Sequence, residues 1–489
     1  MLYCSVLKKL LFIRYSLCVA FLSACHQPGW VATIDESGTY SSPRVCDLTE
    51  DGVKDIVLGA GGSKEWEPSE NAVVAIDGQH GKLLWKVPGR NQIVGSPVFL
   101  DVTNDGISDV FIGGRSAQFF AIDGSSGDLL WEYERIDPYR SKADTTVLNF
   151  FTPQIIPDCN QDGLSDLLVS YGGFVNARPW EDQRPVGYLM IFSSADGEVL
   201  AKAPMPDGKE TYMSPIVSED AVYFGTGGET IAGNFYRTPI SDLLDGKIDE
   251  AISLLAGKEK GFIAPPLLTD LTGDEVLDVV INAYEGKTIA LNGEDHTVLW
   301  EVSPGEGYET HAQPAIGQFV GDPTPDFFVN YGEGTWPEIS RSLQVLIDGK
   351  TGEYNVLDSL GSLQYASPVT ITTANRNFEE VLLPVNVFTE TGYARESGYP
   401  AKALRVQLRR FDFTSGTNEV FYEVSGSNLG ATVLLEDLDA DGTSEIVFVR
   451  NHNPYSLFEH TGLSIHCLPA TDYHPTRSSI REKTMSVLL

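Results

Sequence analysis

The sequence predicts an all-β protein: a single β-propeller of eight four-stranded blades, closed by the N-terminal strand. Three observations carry this reading. A small residue followed by proline recurs at intervals of roughly 50 to 60 residues. Each recurrence opens the same succession of short apolar strands and turns. An acidic loop of fixed spacing falls at one place in most copies. A period of this length marks a radially repeated fold, whereas 489 residues alone would suggest two or three globular domains.

The small-residue motif reads Ser42-Pro43, Ser96-Pro97, Thr152-Pro153, Ser214-Pro215, Ala264-Pro265, Gln313-Pro314 and Ser367-Pro368, with Gly430-Ala431 as an eighth, degenerate copy. Each copy continues with an apolar strand, an acidic loop and a second apolar strand. A variable loop, a third strand closed by an Asp-Gly turn and a fourth strand follow. Three copies keep a strict turn-to-tryptophan spacing: Ala75-Ile76-Asp77-Gly78 to Trp85, Ala121-Ile122-Asp123-Gly124 to Trp131, and Ala290-Leu291-Asn292-Gly293 to Trp300. Leu346-Ile347-Asp348-Gly349 keeps the turn without the tryptophan. Four short strands per unit make a propeller blade. Gly29-Trp30-Val31 precedes Ser42 by nearly the interval that separates Trp85 from Ser96, and the last unit lacks a clear fourth strand. The N-terminal strand is therefore expected to complete the last blade and cover two sheet edges. Trp30, Trp85, Trp131 and Trp300 are expected to pack between blades.

Five acidic loops share one spacing: Asp47-x-Thr49-x-Asp51-Gly52-x-x-Asp55, Asp101-x-Thr103-x-Asp105-Gly106-x-x-Asp109, Asp158-x-Asn160-x-Asp162-Gly163-x-x-Asp166, Asp270-x-Thr272-x-Asp274-Glu275-x-x-Asp278 and Asp437-x-Asp439-x-Asp441-Gly442-x-x-Glu445. Side-chain oxygens at positions one, three, five and nine can wrap one hard cation. The backbone carbonyl of position seven (Val53, Ile107, Leu164, Val276 and Thr443) would add a further ligand. Glycine at position six permits the sharp turn. Calcium suits such a loop because it accepts many oxygens in loose geometry, so up to five structural Ca2+ sites are expected. Residues 318–326 and 372–380 hold the same place but have lost ligands and are expected to be metal-free turns.

Two resemblances follow from these motifs. The Ala-x-Asp-Gly…Trp unit resembles the quinoprotein-like (PQQ-like) propellers, which include pyrroloquinoline quinone enzymes and an outer-membrane assembly lipoprotein. The acidic loops resemble the FG-GAP (VCBS) repeats of integrin α-subunit propellers. Together they cover nearly the whole chain after the leader and imply fold rather than function. The quinone enzymes carry adjacent cysteines at the cofactor; this chain has no such pair, so no PQQ is expected.

Residues 1–24 have the form of a signal peptide, with Lys8, Lys9 and Arg14 ahead of a short apolar run. Leu22-Ser23-Ala24-Cys25 resembles a bacterial lipobox, with Cys25 as the lipidated residue. Residues 25–29 then form a tether, 30–470 the propeller and 471–489 a polar tail. An exported lipoprotein of the bacterial cell envelope is expected, at the outer membrane or cell surface, touching the membrane through its anchor alone. Cys46, Cys159 and Cys467 are an odd number and imply no disulfide framework. The 34 Lys+Arg against 68 Asp+Glu argue against nucleic acid, which needs a basic face.

The long insertions, residues 63–71, 134–151, 173–186, 333–342, 388–401 and 451–461, fall on the face opposite the acidic loops. Trp66, Tyr139, Trp180, Trp336, Tyr399 and Tyr455 lie in or beside them. They are candidates for recognising a protein or glycan ligand, against the alternative of packing the loops onto the ring. No nucleophile elbow, phosphate loop or zinc-binding helix motif appears, so no catalytic residue is assigned. The leading expectation is a non-catalytic binding scaffold stabilised by calcium. An enzyme acting on polysaccharide or a small molecule in the central funnel, and an envelope assembly factor, are the alternatives.

Overall fold

The computed structural model describes residues 29–133, 147–174, 181, 183–336, 338–361, 364–372, 377–389 and 403–469. The leader, Cys25, Tyr139, Trp180, Tyr399 and the 471–489 tail lie outside them. The described chain forms eight antiparallel sheets, one per predicted blade. Blade 1, for example, runs through Arg44–Cys46, Asp55–Gly59, Ser69–Ile76 and Leu83–Gly89. Short extra strands, Asn149–Phe150 and Tyr308–Glu309, pair with the second strands of blades 3 and 6. The helical residues among those described are one turn, Ile240–Leu244, and a 3-10 turn, Ile248–Glu250, both inside blade 4.

The ring closes as the sequence predicts. Blade 8 is built from both ends of the propeller, in the order Val31–Asp35, Gly462–Pro469, Glu445–Asn451, Leu434–Glu436. The register runs from Val31 opposite His466 to Asp35 opposite Gly462. The seam is apolar: Ile56, Leu58 and Val74 of blade 1 pack with Val447, Val449 and Ile465 of blade 8. Second strands such as Asp55–Gly59 and Asp278–Ala283 are buried at every residue. Each blade is covered on both faces by its neighbours, which is why these strands read as apolar runs rather than alternations.

The tryptophans join blade to blade. The indole N–H of Trp85 donates to the carbonyl of Gly124 in the next blade (2.8 Å), and Trp300 does the same to Gly349 (2.8 Å). Trp131 donates to Ser194, and Trp30 carries the pattern across the seam to Gly78, each at 2.9 Å. Ala75, Ala121 and Ala290 stand directly opposite Trp85, Trp131 and Trp300, which accounts for the fixed spacing between them. The ring then lies on the turn of the next blade. At Gly127, with φ 77°, an added Cβ would stand 2.7 Å from the Trp85 ring, so only glycine fits.

A second run of contacts links neighbouring blades near the axis. The amide of Ser42 donates to the Ser96 hydroxyl (3.2 Å), Ser96 to Thr152 (3.0 Å) and Thr152 to Ser214 (3.2 Å). Ser367 donates to Thr432 (3.3 Å), and Thr432 returns to Ser42 (3.0 Å). The hydroxyl residue before the proline is thus a link to its neighbour in these blades, whereas Ala264 and Gln313 carry no hydroxyl at theirs. The eighth copy is Thr432-Val433, two residues beyond the expected Gly430-Ala431, because the link requires a hydroxyl that neither Gly430 nor Ala431 carries.

Residues 333–342 also depart from expectation. They extend the hairpin of Asp326–Thr335 and Glu338–Ile347 instead of forming an irregular insertion. Glu333 pairs with Arg341 in register, and a bulge at Gly334, with φ 124°, bends the hairpin tip.

Trp85→Ala removes the indole contact and leaves a void at a blade interface. It should lower the unfolding free energy by about 3–5 kcal/mol, read as a shift of the denaturant midpoint. Trp85→Phe should lose less, since it forfeits mainly one hydrogen bond and part of the ring.

Candidate functional site

The acidic loops are ordered by their own carboxylates. The position-one aspartate accepts the amide of position six in all five: Gly52 to Asp47 (3.0 Å), Gly106 to Asp101 (3.1 Å), Gly163 to Asp158 (2.9 Å), Glu275 to Asp270 (3.0 Å) and Gly442 to Asp437 (2.9 Å). The position-five aspartate accepts the amide of position seven, at 2.7–2.9 Å: Val53, Ile107, Leu164, Val276 and Thr443. Position six has φ between 71° and 94°, and Glu275 adopts this left-handed conformation where the other loops have glycine.

Position nine behaves differently. Asp55, Asp109, Asp166 and Asp278 are buried at the start of the second strand. Asp55 accepts the amide of Leu48 (2.9 Å) with one oxygen and that of Gly78 (3.1 Å) with the other. Asp109 does the same with Val102 and Gly124, and Asp278 with Leu271 and Gly293. Asp326, in a loop that has Gln318 and Val320 at positions one and three, repeats the pattern with Phe319 and Gly349. At Asp55, Asp109, Asp278 and Asp326, position nine therefore ties the loop to the glycine turn beside it, whereas Asp166 and Glu445 accept within their own loops, from Cys159 and Leu438. Burial pushes Asp55, Asp109 and Asp166 up, Asp326 to about 6 and Glu445 to about 7.

The loop of blade 8 brings three carboxylates together. One oxygen each from Asp437, Asp439 and Asp441 lies within 4.8 Å of the others. Among the described residues it is the group of three His, Cys, Asp or Glu side chains placed to hold a metal ion. This donor set fits a hard divalent cation. The other loops have neutral Thr49, Thr103, Asn160 and Thr272 at position three and a lower charge density.

The opposite face opens into a cup of about 310 Å³ on the ring axis. Tyr40, Val94, Tyr212, His311, Tyr365 and Gly430 line it, each two residues before the axial small-residue position. Trp336, from the hairpin tip, and Phe458, from residues 451–461, reach it in edge contact with each other (5.6 Å between centroids). His311 packs against both Tyr284 (4.9 Å) and Tyr365 (4.7 Å).

Buried charges beneath and around the cup are internally engaged. The Glu309 carboxylate accepts from His311 Nε2 (2.9 Å), the Trp336 amide (3.1 Å) and Lys260. Burial opposes its charge, but these donors prevail and hold it below the usual range. Glu210 lies 3.7 Å from Arg184 and accepts the Tyr212 hydroxyl (3.1 Å). Burial outweighs the guanidinium and raises this carboxyl to about 7, helped by the nearby Glu229 charge. Arg115 pairs with Glu65 (3.0 Å) and stacks over Trp66 (5.4 Å).

Of the predicted recognition residues, Trp336 enters the cup. Trp66 stays on the rim, 51% exposed, and Tyr455 is 59% exposed away from the lining. Sequence reasoning missed Tyr40, Glu65, Arg115, Tyr212, Glu229, Tyr284, His311 and Tyr365. The aromatics at 40, 212, 311 and 365 share a fixed offset from the axial motif, and that offset was the available signal.

Residues 67–232 match the family described as outer membrane protein assembly factor BamB. No curated protein sequence matches the chain. The fold is similar to that of a europium-containing methanol dehydrogenase, at 11% identity and TM-score 0.59, covering 90% of this chain and 93% of that one. It is also similar to the quinohemoprotein alcohol dehydrogenase of Comamonas testosteroni (11%, TM-score 0.55, 92% and 78%). The exotype rhamnogalacturonan lyase YesX is a third (13%, TM-score 0.52, 90% and 76%). These likenesses show the fold, an eight-bladed propeller of four-stranded antiparallel sheets.

Glu210 binds more protons folded than unfolded between its ordinary value near 4.5 and about 7. Its contribution to stability is present below that window and is lost as pH rises through it. Glu210→Gln should flatten the dependence of the thermal midpoint on pH between 5 and 7, measured at constant ionic strength.

Proposed function

We propose that the protein is a non-catalytic binding scaffold of the bacterial cell envelope, recognising a protein or glycan partner through the loop-rich face around the axial cup. The observation that carries this reading is the engagement of the buried charges there. Glu309, Glu210 and Glu65 each hold an internal partner, so they act as ties, and aromatic surface is what a ligand meets. The leader and Cys25 motif support export and lipid anchoring. A second reading, envelope assembly, is favoured by the match of residues 67–232 to the assembly-factor family.

Trp336→Ala and Trp66→Ala test the recognition face, with glycan arrays and envelope-protein crosslinking as readouts. Binding should fall at least about tenfold while the melting temperature holds. Lower stability with unchanged binding would sink the idea, as would turnover of a saccharide by the wild type.

Calcium belongs to the same proposal as a structural element. It would be held by the acidic loops, foremost by Asp437, Asp439 and Asp441, and would neutralise their mutual repulsion. Calcium should raise the melting temperature in proportion to the logarithm of its concentration, and Asp439→Asn should reduce that rise. An unchanged melting temperature in chelator overturns the calcium reading.

A further inference from the structure

The axial cup has walls, a charge and a size that together select one ligand chemistry. Its walls are rings fixed by one another. His311 is held between Tyr284 and Tyr365, and Trp336 meets Tyr365 edge-on (5.2 Å). Tyr212 meets Phe151 edge-on at 6.0 Å. Rings fixed in this way offer π surface to a guest without an ordering cost.

The charge comes from Glu229, which lines the cup and is half-buried. Its negative field reaches Tyr212, Tyr284, Tyr365 and Glu210, so the carboxylate stands among the tyrosines. The cations nearby are already held: Arg115 by Glu65, Lys260 by Glu309 and Arg184 by Glu210. Among the described residues, none forms an ion pair with Glu229. Lys260 shows the local preference, since its ammonium lies 5.4 Å from the centre of the Tyr284 ring.

We infer that the cup binds a small organic ammonium ion, seated on the Tyr and Trp faces with its charge toward Glu229. A neutral guest leaves this carboxylate uncompensated, and an anion is repelled by it. A cation gains from both the rings and the carboxylate. A volume of about 310 Å³ suits a guest of choline or diamine size. The inference rests on the reading of this face as the recognition face and names a chemistry for its centre.

Isothermal titration of the full chain tests it with choline, tetramethylammonium and putrescine. The uncharged carbon analogue of choline, 3,3-dimethylbutan-1-ol, serves as the control. At least one cation should bind saturably at one site per chain, and choline at least about tenfold more tightly than its neutral analogue. Glu229→Gln should weaken cation binding at least about tenfold with the melting temperature retained. No saturable binding by any of the three overturns the inference, and so does equal binding of choline and its analogue. The choline comparison uses wild-type protein and stands even where Glu229→Gln fails to fold. Loss of the cation result alone, with glycan or protein binding through Trp336 intact, rejects this inference and leaves the recognition reading standing. Loss of both rejects both.

Discussion

The structure depends on one repeated connection, in which a buried carboxylate, a glycine turn and a tryptophan of the preceding blade are joined in series. In blades 1, 2 and 6 the series is complete. Asp55, Asp109 and Asp326 accept the amides of Gly78, Gly124 and Gly349, and the carbonyls of those glycines accept the indoles of Trp30, Trp85 and Trp300. The carboxylate settles the acidic loop, the glycine shapes the turn, and the tryptophan fixes the next blade against it. Propeller blades otherwise meet through flat apolar faces that are free to slide. A directional hydrogen bond at the junctions that carry Trp30, Trp85, Trp131 and Trp300 sets the rotation between those neighbours, and the apolar contacts then supply most of the stability.

This explains why the architecture was so readable and the site was not. The connection demands particular residues at particular offsets, so Asp-Gly, Ala and Trp repeat visibly. The hydroxyl links of Ser42, Ser96, Thr152, Ser214, Ser367 and Thr432 recur at one offset as well. Even their one misplacement, Thr432 for Gly430-Ala431, follows from asking which residue carries a hydroxyl. The cup carries no such internal constraint. Tyr40, Val94, Tyr212, His311, Tyr365 and Gly430 share a position but not a chemistry, because each needs only to face the axis. Glu229 and Arg115 come from different blades and both line the cup.

The acidic spacing carried two messages that the sequence superimposed. Positions one and five shape a loop suited to a cation, and position nine anchors that loop to the blade. The loop of residues 318–326 separates position nine from positions one and three: it keeps Asp326 with its ties, and Asp322 at position five, although Gln318 and Val320 stand at positions one and three. Position nine therefore persists for a reason that needs no metal. The two faces of the ring consequently differ in kind, one a circle of carboxylate-ordered turns and the other a cup with aromatic walls.

The shared eighth blade bears on how the chain acquires its shape. The Thr33 and Ser464 hydroxyls, 3.1 Å apart in the finished ring, are 431 residues apart along the chain. During synthesis the strand Val31–Asp35 emerges first and has no partner until Gly462–Pro469 leaves the ribosome. Seven blades can assemble in order behind it, each on the one before, while an apolar edge stays open at the start. Closure is then a single late event whose probability depends on how well those seven blades already curve. Errors of curvature accumulated around the circle are tested once, at the seam.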